Sequence, residues 1–338
     1  MKVQFLGTAS GKPSKYRNVT SIAVILEDAN YILIDCGEAT QHQIIKSDLK
    51  FSKILSIYIT HLHGDHIFGL HGLLCTLNEI RTEALEIHGP IGLSNYVSFV
   101  KKNITNYSLR IKEYESAPPN MNTIQLINYN YKIDSCEVDH VNDRSITCFA
   151  YKITQIRNNN NLKINIAMLS PVLESHRSVI ENMGYVPAEK IIRTLKENND
   201  LVYITNDLYI NPTDYKIREP NKTLIVALDN YNSRKMVKTF NSCDTLVHEC
   251  TYSCFADMTN EEKIRITKLA KSHGHSTNIM AIHVANKLKC SNLILTHFSN
   301  RYEETAEQYE KIIDECLSNV DNPQPSVYCA SDFSTYTI

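Results

Sequence analysis

The chain has 338 residues, 43% hydrophobic and 21% charged, which is enough apolar surface for one large core or two smaller ones. Its net charge of −2 excludes the strongly basic composition typical of proteins that bind nucleic acid over their whole surface. Since no segment reaches the ~20 apolar residues of a membrane span, and the N-terminal apolar segment is too short for a secretory signal, we predict a soluble intracellular protein without a targeting signal.

Short β-branched segments alternate with helical patterns in the first part of the chain. Residues 1–10 predict a first strand, and residues 21–28 and 30–37 predict two strands joined by a polar turn, as in a hairpin. Residues 52–60 predict a further strand that ends at Thr60. Apolar residues then recur at helical spacing from Ile67, so we expect a helix directly after this strand.

The later part of the chain repeats this alternation. Strands are predicted at 146–154, 223–230, 244–251 and 292–299, and helices at 260–273, 277–289 and 303–319. Strands followed by helices in both halves predict a layered α/β protein. The ten cysteines are scattered and form no C-x-x-C pair, which predicts free thiols and not a zinc ribbon.

Between residues 154 and 215 the periodic pattern weakens. A run of asparagines is typical of an exposed turn, and two short amphipathic helices are predicted, broken at Gly184 and Pro187. We interpret 154–200 as an insertion between two halves, too small to have a core of its own.

The segment THLHGDHIFG, residues 60–69, places His61, His63, Asp65 and His66 within six positions. Imidazoles and a carboxylate at this density are typical of a divalent metal site, because these are ligands that zinc prefers. In an extended loop His61 and His63 point the same way and can share one ion. Asp65 and His66 lie at the turn into the helix and can hold a second ion.

One loop cannot complete two coordination shells, so further ligands are expected at strand ends. His140 precedes the strand at 146–154, Asp229 ends the apolar segment TLIVALDN, and His297 ends NLILTHFS. The carboxyl ends of strands in α/β proteins commonly meet at one edge, where ligands bind. These three residues are therefore candidates to join the His loop.

The loop H-x-H-x-D-H with a later His, Asp and His resembles the metallo-β-lactamase superfamily. Further segments resemble ribonuclease Z, the tRNA 3′-processing endonuclease: the P-x-K-x-R-N loop in FLGTASGKPSKYRN, and LIDCGEATQ, LVHECTY, HGHST and LILTHFSNRY. The resemblance runs from residue 2 to about residue 302. It implies an αββα sandwich formed by one domain over 1–338, with the insertion at 154–200 acting as a substrate-binding arm.

The resemblance also implies a role for each candidate residue. His61, His63 and His140 would bind one zinc ion, Asp65, His66 and His297 the other, and Asp229 would bridge them, giving two zinc ions per subunit. Asp65, His275 and Glu249 would be catalytic, with His275 as the proton donor to the leaving 3′ oxygen and Glu249 behind it. Asp35 would orient the His loop. His273 is interpreted as a simple neighbour of His275, and His248 as a strand-packing residue.

The implied activity is removal of the 3′ trailer from precursor tRNA, leaving a 3′-hydroxyl on the tRNA and a 5′-phosphate on the trailer. The family suggests a homodimer in which the arm of one subunit clamps tRNA for the site of the other. Two alternatives stay open: a phosphodiesterase or esterase of the same superfamily acting on a small substrate, and an RNA-binding scaffold without activity. Local mixtures of Lys, Arg and Tyr, such as PSKYRN at 13–18, permit RNA contact.

Three features depart from the family pattern. Ala39 stands where a second glycine is usual, and VALDNY replaces the usual sequence around the bridging aspartate, which makes Asp229 the least secure ligand. The arm region carries GYVPAEK in place of a Gly-Pro pair. The position of the arm is therefore predicted, whereas its shape is not.

Overall fold

The structure is a computed structural model that describes residues 1–26, 28–104, 106–115, 122–126, 129–141, 146–157, 162–182, 189–197, 199–203, 209–218, 220–302, 304–320 and 325–338. Its strands are β1 Lys2–Gly7, β2 Ala9–Ser10, β3 Ser21–Ile25, β4 Tyr31–Ile34, β5 Ile54–Tyr58, β6 Leu85–Pro90, β7 Leu109–Tyr114, β8 Asn122–Leu126, β9 Tyr131–Val138, β10 Cys148–Gln155, β11 Leu162–Ile164, β12 Val202–Tyr203, β13 Tyr209–Ile210, β14 Lys216–Arg218, β15 Lys222–Ala227, β16 Thr245–Glu249, β17 Asn292–Thr296, β18 Phe298–Ser299, β19 Ser326–Cys329 and β20 Thr335–Thr337. Its helices are α1 Thr40–Lys46, α2 Gly64–Ile67, α3 Leu70–Asn78, α4 Leu93–Asn103, α5 Ile166–Ser175, α6 Arg177–Asn182, α7 Glu189–Glu197, α8 Pro212–Tyr215, α9 Arg234–Phe240, α10 Asn260–Ser272, α11 Asn278–Lys287 and α12 Ala306–Leu317. A short 3-10 helix covers Phe51–Lys53.

The larger of two compact units comprises Met1–Gln155 and Lys222–Ile338 and contains two seven-stranded sheets. The first sheet has the order β20-β1-β3-β4-β5-β6-β7, and the second has the order β19-β17-β16-β15-β10-β9-β8. In the first sheet β4 to β7 are parallel, and in the second β15, β16, β17 and β19 are parallel. The predicted hairpin is confirmed, since β3 and β4 pair antiparallel.

Both sheets are buried on both faces. Along β3 and β4, Ile22 and Ile32 pack into the cluster between the sheets, whereas Ala23 and Leu33 pack on the side of α1, α3 and α4. Along β15, Val226 points between the sheets and Ile225 points toward α9 and α11. Alternate residues of a strand face opposite sides, so burial of both faces requires nearly continuous apolar segments such as SIAVI and TLIVA. The layer order is helix, sheet, sheet, helix, and the predicted αββα sandwich is confirmed.

The second compact unit comprises Ile156–Asn221. Contrary to the expectation from its size, this segment buries an apolar cluster of its own, formed by Ile164, Leu169, Ile180, Ile191, Leu195 and Ile210. The unit extends beyond the predicted boundary at residue 200 because β14 returns to pair with β11. Four helices, α5 to α8, precede this return among the described residues, and the predicted breaks at Gly184 and Pro187 lie outside those residues. Its function as an arm stays a prediction.

None of the helices in the described ranges combines the length and apolar composition that a membrane span requires. All ten cysteines are free thiols, as the absence of paired motifs predicted.

Candidate metal centre and active site

The candidate site residues lie where strands of the two sheets end. The chain leaves β5 after Tyr58, two residues before the predicted end at Thr60, and enters α2 at Gly64. His61 and His63 therefore occupy the connection, while Asp65 and His66 lie in the first turn of α2. The helix begins three residues before the predicted start at Ile67. Asp229 follows β15, His297 follows β17, and His140 follows β9, a strand that the sequence analysis missed.

A first cluster joins His61, His63, His140 and Asp229. The Nδ1 atom of His63 is 3.0 Å from His61 Nε2 and 3.1 Å from His140 Nε2. Asp229 Oδ2 is 3.6 Å from both of those Nε2 atoms. All four side chains are directed at one point, as predicted for the pair His61 and His63.

A second cluster joins Asp65, His66 and His297 to the other oxygen of Asp229. His66 Nε2 is 3.3 Å from His297 Nε2 and 3.5 Å from Asp65 Oδ2. Asp229 Oδ1 is 3.4 Å from His66 Nε2 and 3.1 Å from His297 Nε2. Asp229 thus faces both clusters, one oxygen to each, despite the unusual sequence around it.

The separations between these ligand atoms fit metal coordination. Four ligand atoms placed ~2.0–2.1 Å from one ion in a tetrahedron are roughly 3.3 Å from one another. The observed values of 3.0 to 3.6 Å lie around that separation. Asp229 Oδ1 is also buried without a hydrogen bond, and a buried carboxylate oxygen needs a cation or a donor to offset its lost hydration. The donor set of imidazole and carboxylate therefore fits metal binding.

Hydrogen bonds to Nδ1 hold three of the imidazoles, those of His61, His66 and His140, in the orientation that metal binding needs. His66 Nδ1 donates to buried Asp35 Oδ2 at 2.6 Å, and His140 Nδ1 donates to Gly274 O at 2.8 Å. Thr60 donates its backbone N–H and its hydroxyl to Asp35 at 2.7 and 2.8 Å, so its oxygen is free to accept from His61 Nδ1 at 3.0 Å. A proton fixed on Nδ1 leaves the Nε2 lone pair for the metal.

A second hydrogen-bonded chain starts at Glu249, at the end of β16. The Glu249 carboxylate accepts the Thr251 hydroxyl at 2.6 Å, and Thr251 Oγ1 in turn accepts from His297 Nδ1 at 2.9 Å. The other Glu249 oxygen accepts the backbone N–H of Asn230 at 2.6 Å. Thr60 and Thr251 are functional residues that the sequence analysis missed, although both adjoin segments that it singled out.

His275 lies beside the clusters and is paired with Glu249. Its Nδ1 atom is 3.2 Å from Glu249 Oε2 and 3.9 Å from Asp229 Oδ2. Burial lowers the pKa of His275, but the Glu249 carboxylate outweighs it and raises the pKa to about 9. With Nδ1 held by Glu249, Nε2 is the ring nitrogen that can donate a proton to a bound molecule.

The charged state of the clusters follows from their composition. Burial lowers the pKa of His61 well below its ordinary value, because the charged ring would lose hydration. Burial raises the pKa of Asp229, but the adjacent His297 and His66 outweigh it and hold this pKa well below the usual range. Asp229 is therefore an anion and His61 a neutral ring, as metal ligands require.

Three site residues have strained backbones. Asp35, Asp229 and His297 have φ angles of 61°, 35° and 58°, in the left-handed region that residues other than glycine rarely occupy. Such strain is common at functional sites, where the surrounding structure compensates for it. Ala39, at the position where the family has glycine, also has a positive φ of 59°, which explains why glycine suits that turn.

The P-x-K-x-R-N loop contacts the site and is anchored by its arginine. Gly11 N donates to Asp65 Oδ2 at 2.7 Å. Arg17 is buried, donates to Thr8 Oγ1 at 2.9 Å and lies over the Phe298 ring at 4.7 Å. Arg17 therefore stabilises the loop and is not available for RNA contact, in contrast to exposed Tyr16.

His248 and His273, the two histidines that were expected to have no ligand role, lie outside the ligand clusters found among the described residues. His273 is exposed and its Nδ1 atom donates to Leu269 O at 2.9 Å. His248 is buried in β16, where its Nδ1 atom donates to Glu249 O at 2.8 Å. Both observations agree with the interpretation of His273 as a neighbour and His248 as a packing residue.

The chain is similar to known proteins over its full length. It is 34% identical to ribonuclease Z of Enterococcus faecalis over 92% of this chain and 90% of that protein. It is 33% identical to ribonuclease BN of Proteus mirabilis over 100% of both. A family model described as anti-Pycsar protein Apyc1 matches residues 1–162.

Solved structures support the same fold. The crystal structure of the short form of human tRNase Z matches with a TM-score of 0.62 at 23% identity, covering 100% of this chain and 99% of that one. A metallo-β-lactamase fold protein from Bacillus subtilis matches with a TM-score of 0.61 at 14% identity, covering 99% and 98%. The fold is the metallo-β-lactamase fold, and the full-length identity to the bacterial enzymes shows that this chain belongs to the ribonuclease Z family.

Proposed function

We propose that this protein is a metal-dependent endoribonuclease that removes the 3′ trailer from precursor tRNA. The observation that carries the proposal is a pair of ligand clusters sharing Asp229, with the His275–Glu249 pair beside them, in a chain with full-length ribonuclease Z relatives. We further propose that the metal is zinc and that each subunit holds two ions.

In this proposal His61, His63 and His140 would hold one ion and Asp65, His66 and His297 would hold the other, with Asp229 offering one oxygen to each set. When bound, the two ions supply a water of lowered pKa and positive charge beside the phosphoryl oxygens. Asp35, Thr60 and Thr251 hold the ligand rings in place, so that little reorganisation accompanies binding of the substrate.

His275 acts as the general acid. The attacking water forms a bond from its oxygen to phosphorus, and the bond from phosphorus to the 3′ oxygen breaks. His275 donates its proton to that leaving oxygen, and the Glu249 carboxylate stabilises the charged ring beforehand. Asp65 takes the proton from the water. Its side chain is 11% exposed, whereas that of Asp229 is 2% exposed, so Asp65 is the more accessible of the two carboxylates. The products are a 3′-hydroxyl on the tRNA and a 5′-phosphate on the trailer.

We propose that the unit Ile156–Asn221 is the substrate-binding arm, and that the protein forms a homodimer in which the arm of each subunit holds tRNA for the site of its partner. The support is the inserted position of the unit within a chain of this family. Size-exclusion chromatography with light scattering would test the oligomeric state.

The deciding experiment is to incubate the purified protein with zinc and a 3′-extended precursor tRNA and to map both product ends. We expect one cut directly after the discriminator nucleotide, with no cut in His63→Ala protein or after removal of metal. A cyclic nucleotide and an aryl ester are the control substrates. Their hydrolysis without an RNA cut would contradict the proposal and favour the small-substrate alternative.

A further inference from the structure

A groove in the second helical layer is lined by several basic side chains. It lies between α9 and the helices α10 and α11, has a volume of about 400 Å³, and has Val237 and Met280 among its lining residues. Its cations are Arg234, Lys238, Lys271 and Lys287, and His283 adds a further imidazole. We name this the α9–α11 groove.

The four cations are exposed and lack ion pairs within the part of the chain that the structure describes. Their neighbour Lys235 shows the contrast, since its Nζ lies 3.3 Å from Glu137 and 3.5 Å from Asp139. Among the described residues no Asp or Glu lines the groove itself, and the carboxylate of Asp139 accepts from the lining residue Asn232 at 2.7 Å. In a chain with a net charge of −2, four cations without acidic partners at one place form a local anion-binding surface.

The inner rim of this groove adjoins the proposed active site. Tyr231, on the rim, follows Asp229 by two residues, and its N–H donates to the backbone oxygen of Asp139 at 2.9 Å, next to the ligand His140. Ser276, also on the rim, is the residue after His275 and donates to Asn230 O. The rings of His140 and His275 are 5.1 Å apart, so Tyr231 and Ser276 mark the end of the groove that is nearest to the clusters.

We propose that the α9–α11 groove binds the sugar–phosphate backbone of the precursor tRNA on the 5′ side of the scissile phosphate. Arg234 and Lys238 are one helical turn apart on α9, as His283 and Lys287 are on α11, about 5–6 Å between neighbours. Four cations spread over α9, the end of α10 and the end of α11 suit a ligand with repeated anions better than a single phosphate.

The choice of the 5′ side rests on the proposed function. In an in-line displacement the leaving oxygen is opposite the attacking water, and here the leaving oxygen belongs to the mature tRNA. His275 faces that oxygen, so RNA that continues past His275 toward Tyr231 and Ser276 is the acceptor end and not the trailer.

The test compares two variants with the same change in charge. The groove variant carries Arg234→Gln, Lys238→Gln, Lys271→Gln and Lys287→Gln. The control variant carries Lys46→Gln, Lys50→Gln, Lys101→Gln and Lys102→Gln, at exposed lysines in and beside α1 and α4, on the opposite helical layer. Each variant is measured for binding of an acceptor-stem minihelix RNA at several salt concentrations, and for hydrolysis of bis-p-nitrophenyl phosphate.

We expect the groove variant to bind the minihelix roughly 10–100-fold more weakly. The slope of the logarithm of the binding constant against the logarithm of the salt concentration should become smaller by about 2–4, because fewer phosphate contacts release fewer counterions. Diester hydrolysis should stay near the wild-type rate in both variants, and the control variant should bind RNA like the wild type. Equal weakening in both variants, or no weakening in the groove variant, would overturn the proposal.

Precursors with trailers of one and of twenty nucleotides separate the two sides of the cut. If the groove variant raises KM equally for both, the 5′ assignment holds, whereas an effect confined to the long trailer would overturn it. The proposed function is tested separately by the wild type. Wild-type protein that binds the minihelix through the groove but cuts no precursor would refute the function and leave RNA binding by the groove intact.

Discussion

His275 differs from the surrounding histidines because its Nδ1 is 3.2 Å from Glu249 Oε2. It belongs to neither of the two clusters described above, although it lies close enough to Asp229 and His297 to form a third possible ligand group with them. We predict that His275→Ala retains metal and lowers kcat by roughly 10²- to 10⁴-fold, the usual contribution of a positioned general acid. Elemental analysis and steady-state kinetics on precursor tRNA measure both quantities.

The leaving group provides the control for this prediction. A nitrophenolate needs no protonation, so bis-p-nitrophenyl phosphate should recover much of the lost rate in His275→Ala. His63→Ala and Asp229→Ala should lose metal and activity on both substrates, since each removes a ligand atom. Equal losses on both substrates at full metal content would exclude His275 as the acid.

The His275–Glu249 pair also predicts a pH dependence of stability in the metal-free protein. The pKa of His275 is raised from 6.5 to about 9 on folding, so its stabilising effect is complete below pH 6.5 and is lost as pH rises through about 9. The shift corresponds to about 3 kcal/mol. Urea unfolding should show that metal-free wild type has a higher free energy of unfolding than His275→Gln at pH 6.5, and that this difference shrinks by about 3 kcal/mol by pH 9.5. A constant difference would mean that the pair is not ionic.

At the scale of loops and elements, Gly274 fixes the position of His140. Gly274 has a φ of +79°, and a Cβ built there would be 2.0 Å from His140 O. Gly11 has a similar φ of +74° but open space around the same position. We predict that Gly274→Ala displaces His140 and lowers both metal affinity and activity by at least 10-fold, as loss of an orienting contact typically does.

Gly11→Ala is the matched control, because it introduces the backbone strain of about 1–2 kcal/mol without the collision and keeps the backbone N–H that donates to Asp65. Zinc titration with a competing chelator would measure metal affinity in both variants. The same loss of affinity in Gly11→Ala and Gly274→Ala would show that strain, and not the contact with His140, is responsible.

Residues contiguous in sequence were predictable, whereas those joined only by folding were not. The spacing of the ligands between His61 and His66 predicted that this loop contributes to two clusters, because alternate positions of an extended loop point the same way. Thr60 could be placed beside this loop, but its bonds to Asp35 depend on the pairing of β4 with β5. The contact of Gly274 with His140 joins residues 134 positions apart, and no local pattern indicates it.

Strand β9 shows why some elements were missed. Its sequence YKIDSCEV contains Lys132, Asp134 and Glu137, which weaken the apolar pattern. In the structure Asp134 is buried and its carboxylate lies 3.0 Å from Lys132 Nζ, so the strand accommodates these charges as a pair. The segment therefore resembled a loop in sequence, although it delivers His140 to the site.

For the molecule as a whole, all residues of the metal clusters and the His275–Glu249 pair belong to the larger unit, Met1–Gln155 and Lys222–Ile338. The second unit has its own apolar cluster, whose buried residues all lie within Ile156–Asn221. This division gives the arm proposal a direct test, provided that the deleted segment follows the boundaries of the second unit. Removal of 156–198 alone would take α5 to α7 away and leave Ile210 without its core.

The strands that flank the second unit allow a clean replacement. Gln155 at the end of β10 is paired with Lys222 at the start of β15, in an antiparallel register. A two-residue Asn-Gly turn can join such a pair, so residues 156–221 can be replaced by Asn-Gly with the sheet intact. We predict that this variant hydrolyses bis-p-nitrophenyl phosphate at close to the wild-type rate, because all the ligands remain, but shows at least a 10-fold higher KM for precursor tRNA. The control is the wild type with a minihelix that lacks the tRNA elbow, which should be processed equally by both proteins. Loss of diester hydrolysis together with a lowered Tm would instead place the segment in the core of the enzyme.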